Sequence, residues 1–180
     1  MRTDTLTMGI AGLTIAIAGC GLPGVFQPLD VVEAVELPRY TGKWYEIARY
    51  PNWFQGEDCD GTTAEYALRE DGTIRVENRC SDVASGAEDV IIGSARVPDA
   101  NESAKLKVRF FGPFEADYWI IDLDEVGYQW AVVGEPSRTF LWILSRTPTM
   151  DPDVYAGILS RLPRWGYDPG RLRVTLQPVE

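Results

Sequence analysis

No histidine occurs among the 180 residues of the chain. Histidine-based catalytic triads, histidine-ligated zinc and histidine-ligated haem are excluded together. Enzymatic chemistry would have to come from Asp, Glu, Tyr, Lys or Cys. Glu46 and Asp122 are the pair to weigh, because in alternating strands both take the same inward parity. Two carboxylates in one cavity can act as general acid and base. They have no nucleophile beside them and no histidine partner. The same positions also suit hydrogen bonds to Tyr, Asn or Arg146, a bulge that turns Asp122 outward, or a cationic head group such as choline. The other reactive groups are three cysteines, Cys20, Cys59 and Cys80.

Composition narrows the classes further. Seventeen Lys and Arg stand against 27 Asp and Glu, a net charge of -10. That argues against broad nucleic-acid binding and against a polybasic membrane-surface patch. With 45% hydrophobic and 24% charged residues the chain has ordinary globular composition, enough for one domain. Six Trp and 11% aromatic residues suit a β core or an apolar pocket. No metal or redox cofactor is implied.

Short extended runs separated by turn residues must position these groups. The runs are 44–50, 62–68, 73–80, 88–97, 105–111, 118–123, 128–133 and 140–146. Asp71-Gly72, Pro98-Asp99, Gly112-Pro113, Val126-Gly127 and Pro136-Ser137 lie between them. Eight strands at this spacing predict an all-β, antiparallel up-and-down barrel. After it, Asp151 can cap a helix with Pro152 at its first position, and Val154, Ile158, Leu159 and Leu162 share one face. Pro163 is expected to stop that helix, and 172–176 alternates again as a final short strand.

Residues 1–19 read as an export signal. Arg2 precedes an apolar stretch from Met8 to Ala18, too short to span a membrane. Ile17-Ala18-Gly19-Cys20 resembles the bacterial lipobox, in which cleavage precedes a cysteine that then carries lipid. Ile17 stands where Leu is commoner, and Asp4 is unusual in such a region. Gly21, where an Asp would favour inner-membrane retention, points by the same analogy to the outer membrane. Residues 20–36 then read as lipidated cysteine and tether, and 37–180 as the folded domain. With Cys20 assigned to lipid, Cys59 and Cys80 remain in an exported chain, and their pairing is the default. If 69–72 is a turn, Leu68 faces Thr73 and Cys59 faces Asp82, which leaves the two cysteines one diagonal step apart.

Gly42-Lys43-Trp44 resembles the first signature of the lipocalin family, Gly-x-Trp. The second is matched at Asp124 and Tyr128, and Leu144-Ser145-Arg146 resembles the third. The stretches 110–114 and 140–148 look like the bacterial outer-membrane lipoprotein (Blc-type) branch. The resemblance implies a closed eight-stranded calyx with the helix outside. Trp44 would plug its narrow end under Arg146. It also implies a small amphiphilic lipid as ligand, bound in the cavity of a protein held to the outer membrane by Cys20 and facing the periplasm, with no catalysis. A homodimer is left open. The rivals are a lipocalin-fold enzyme on a lipophilic substrate and an envelope interaction module with a filled cup.

Barrel alternation supplies the expected lining. Trp44 inward carries Glu46 and Ala48 inward. Arg146 at the base carries Leu144, Trp142 and Phe140. Outward charges place Ala64, Tyr66, Val76, Asn78, Val108 and Phe110 inside. Tyr118 and Ile120 complete the wall, Gly93 and Ala95 are expected to leave room, and Trp53 and Phe54 sit in the first loop at the open end.

Overall fold

The computed structural model describes residues 27–56, 59–82 and 85–178. The expected export signal, residues 1–19, and Cys20 lie outside the described residues. Eight antiparallel strands close into a barrel: β1 (Gly42–Arg49), β2 (Cys59–Leu68), β3 (Ile74–Asp82), β4 (Glu88–Arg96), β5 (Lys105–Arg109), β6 (Ala116–Leu123), β7 (Trp130–Gly134) and β8 (Leu141–Ser145). Each pairs with the next, and β1 closes the ring by pairing with both β2 and β8. A two-residue strand, β9 (Arg173–Val174), joins β1 from outside. One end, the base, holds the turns after β2, β4 and β6 together with a one-turn helix, α1 (Leu37–Tyr40). The loops after β1, β3, β5 and β7 form the other end, the mouth.

Two bulges decide which side chains enter the barrel, because one extra residue reverses the parity beyond it. The β1–β8 register shifts between Glu46 and Ala48. Ala48, expected inside, instead packs against the outer helix, and Arg49 turns in at 1% exposure. In β6 the register shifts between Ile120 and Asp122. Asp122 therefore points outward and pairs with Arg161 at 2.8 Å, while Leu123 returns to the interior. A third shift in β2, between Asp60 and Thr63, restores a register that the turn had offset. Leu68 faces Ile74 rather than Thr73, yet Cys59 faces Asp82 as expected. Cys59 and Cys80 form a disulfide with Cα atoms 5.4 Å apart. Closing a loop of this length contributes about 3 kcal/mol in the chain-entropy view.

Helix α2 (Pro152–Arg161) begins where Asp151 accepts hydrogen bonds from the Asp153 and Val154 amides. Ile158 and Leu162 are fully buried, in one cluster with Ile121, Val132 and Ile143 from the barrel's outer face. The chain does not stop at Pro163 but tightens into a 3-10 turn, Leu162–Trp165. Proline sits in the first turn of that segment, where its missing N–H has no partner to lose. Gly166, at φ +82°, then ends it.

Two segments seal the wall. Above Tyr45, β1 and β2 part, and the C-terminal residues fill the seam. Thr175 donates its amide to Ile47, Gly61 donates to the Leu176 carbonyl, and the Gln177 side chain donates to Glu46 and Thr62 carbonyls. The described part of the expected tether, 27–36, is likewise docked. The Gln27 carbonyl accepts from Arg138 at the mouth, the Val32 amide donates to Ile120 midway, and the Val35 and Glu36 amides donate to Ser103 and Tyr128 at the base.

Candidate ligand-binding site

The base is a solid floor. Trp44 is fully buried, and its indole N–H donates to the Tyr40 carbonyl at 2.8 Å. The Arg146 guanidinium lies 3.8 Å from the Trp44 ring centroid, a cation–π contact. The same guanidinium donates to the carbonyls of Arg39, Tyr40, Lys43 and Tyr128, tying α1, β1 and the β6–β7 loop to the end of β8. Gly42 is at φ +92°, a conformation that favours glycine, and a Cβ there would lie 3.4 Å from Arg146 Nη1.

Beside Trp44 three buried tyrosines share their hydroxyls. Tyr118 lies 2.8 Å from Tyr40 and 2.9 Å from Tyr66. Burial holds all three phenols above the usual tyrosine range, Tyr66 at about 12. Unfolded tyrosines ionise near 10. Stability from this cluster is therefore complete below about pH 10 and is lost as the pH rises toward 12, by about 1.4 kcal/mol per pH unit for each tyrosine held neutral. Urea titrations at pH 9 and pH 11 should show this loss, and Tyr66→Phe should shrink it by one proton. An unchanged pH dependence in Tyr66→Phe would contradict the assignment.

The twelve residues expected to line the cavity divide by exposure. Tyr66, Val76, Ala95, Tyr118 and Ile120 are buried and belong to the packed floor. Ala64, Asn78, Gly93, Val108, Phe110, Phe140 and Trp142 are only half-buried. Inward positions that keep exposure mark an upper half open to solvent. Gly93, however, leaves no open volume. A Cβ on it would come within 2.6 Å of the Phe110 ring, so that ring lies across the glycine from the neighbouring strand. The glycine admits Phe110 into the wall rather than a ligand.

An aromatic shelf faces this opening. Phe140 stacks with Trp142 at 6.0 Å, and Phe54 from the first mouth loop meets them at 5.4 and 6.3 Å. Behind the shelf runs a buried polar chain. Trp142 donates to Gln55 at 3.1 Å, Gln55 donates to Glu46 at 2.9 Å, and Arg49 pairs with Glu46 at 2.7 Å. Arg49 also donates to the Gly56 and Cys59 carbonyls, and Thr175 donates to Glu46. Glu46 is thus neutralised within the protein. Two outer clefts, of about 280 and 460 Å3, are lined by charged residues such as Lys107, Asp117, Asp30 and Glu125 and do not suit an apolar ligand.

Residues 35–177 match the family model for a lipocalin-like domain. The chain belongs to the lipocalin family. It is 40% identical over 159 residues to temperature-induced lipocalin-1 of Arabidopsis thaliana, covering 84% of each chain. It is 37% identical over 171 residues to the outer membrane lipoprotein Blc of Escherichia coli, covering 94% of this chain and 96% of that one. Among solved structures, insecticyanin from the tobacco hornworm Manduca sexta superposes with a TM-score of 0.67 at 22% identity, over 86% of this chain and 87% of that chain. That last likeness concerns the fold.

In this lipocalin Glu46 and Asp122 are not brought together. One is sealed inside with Arg49 and the other is paired outside with Arg161, so they form no acid–base pair. Several interior residues lie outside the expected lining. Leu106, Ala131 and Val133 join the inner core, and Leu106 shares the period-two pattern of Val108. Ile91 alternates with outward Val90 and Ile92. Arg49 carries no such signal, because the bulge that turns it inward leaves no mark in the residue types, and Gln55 lies in a loop.

Proposed function

We propose that this lipocalin is an envelope lipoprotein that binds and carries an amphiphilic lipid, a fatty acid or lysophospholipid, in the upper half of its barrel. The observation that carries the reading is the half-exposed aromatic shelf of Phe54, Phe140 and Trp142 above a sealed floor. An apolar wall with few polar groups fits an acyl chain. Each buried methylene contributes roughly 0.8 kcal/mol, enough for micromolar binding after ordering costs. The Asn78 Oδ1 atom is buried on the inward face without a hydrogen-bond partner, and it suits a donor on the ligand, such as a glycerol hydroxyl. Anchoring through Cys20 to the outer membrane is supported by the lipobox-like motif and by similarity to the outer membrane lipoproteins Blc.

Mass spectrometry of the protein from its host membrane tests both parts. Intact mass should show a chain beginning at Cys20 with added acyl mass; a chain beginning elsewhere without it overturns the anchor. Native spectra should carry a non-covalent lipid adduct. Spectra free of adducts, together with no uptake of added lysophospholipid, overturn the carrier reading.

A further inference from the structure

The mouth carries an exposed apolar rim that the cup does not use. Trp53 is 86% exposed, Phe111 66% and Phe114 81%, and Phe54 spans from rim to shelf. Tryptophan and phenylalanine in this setting mark a surface that meets another apolar phase. The path of the N-terminal strip identifies that phase. Its described start, Gln27, is bonded to Arg138 in the β7–β8 loop. Two residues on, Phe140 packs against Phe54, which packs edge-on against Trp53 at 5.4 Å. The start of the docked chain and the rim are therefore joined through one loop. Six residues lie between Cys20 and Gln27, and the seven Cα–Cα steps reach at most about 25 Å.

Resting on the lipid anchor proposed for Cys20, we infer that the barrel docks mouth-down on the bilayer that holds its own anchor. Trp53, Phe54, Phe111 and Phe114 then sit at the lipid interface. In that pose the cup opens onto its source of ligand, and an acyl chain passes from leaflet to shelf without crossing water.

The full mature chain, reconstituted in phosphatidylcholine vesicles brominated on the acyl chains, tests the orientation. A Trp142→Phe background prevents lipid inside the cup from being read. Tryptophan emission should be quenched relative to unbrominated vesicles, and Trp53→Phe should remove most of the difference. A tryptophan placed in the base loop by Val126→Trp, in the Trp53→Phe background, should escape quenching. Quenching that survives Trp53→Phe, or a Val126→Trp signal quenched as strongly as Trp53, overturns the inference, as does a chain without acyl mass. Ligand uptake is measured separately, so a chain that docks mouth-down yet binds no amphiphile keeps this inference and loses the carrier reading.

Discussion

Trp44→Ala is expected to lower folding stability by about 3–5 kcal/mol, the range for deleting a large buried aromatic. The indole is fully buried, donates to Tyr40 and lies under the Arg146 guanidinium. Its removal leaves a cavity at the narrow end and exposes a cation held for that ring. Urea unfolding of the disulfide-bonded protein measures the loss, and a midpoint shift worth less than about 1 kcal/mol would contradict it. Amphiphile affinity per folded molecule should be unchanged, because Trp44 lies at the base end of β1, whereas Trp142 of the shelf pairs with Arg49 at its mouth end. A variant that folds well but loses affinity would place the ligand lower in the barrel.

The second large effect is expected at Arg49. Arg49→Met should destabilise by about 3–5 kcal/mol, the cost of breaking a buried pair and leaving one charge uncompensated. Glu46 would keep Gln55 and Thr175 as donors but lose its cation. The double variant Glu46→Gln with Arg49→Met removes both charges and should recover much of the loss. Non-additivity of that sign is what a double-mutant cycle reads. Additive losses would show that the two side chains act independently. The seam filled by the C-terminal residues should loosen with Arg49→Met as well, because Thr175 shares the Glu46 carboxylate.

The barrel was legible because its signals are local and repeated. Lys105 to Phe110 alternate so that lysine and arginine fix the outer face, and Asp151-Pro152 marks the helix start through its own side chain. Gly42, Trp44 and Arg146 point to the closed end, and the cysteine register holds despite an offset turn, since the bulge in β2 cancels it. What was hidden depends on bulges and on side chains crossing between strands. Ile47 and Ile121 look like ordinary strand residues, yet register shifts there send Ala48 and Asp122 outward and Arg49 inward. Gly93 reads as free space until Phe110 is seen lying on it. Gln27 to Glu36 has no period, because an extended strip bonded through its backbone to three parts of the barrel needs none.

The most direct test of the carrier reading is a titration of the chain lacking residues 1–20, which removes none of the described fold, with oleate and with a lysophospholipid, followed by tryptophan fluorescence. Saturable binding tighter than about 100 micromolar, roughly -5.5 kcal/mol, is expected, with most of the signal lost in Trp142→Phe and binding abolished in Phe110→Asp, where an unpaired charge would face the chain. Binding that leaves the signal intact in Trp142→Phe would move the ligand away from the shelf; no binding of either lipid up to that concentration would contradict the function proposed for the cup.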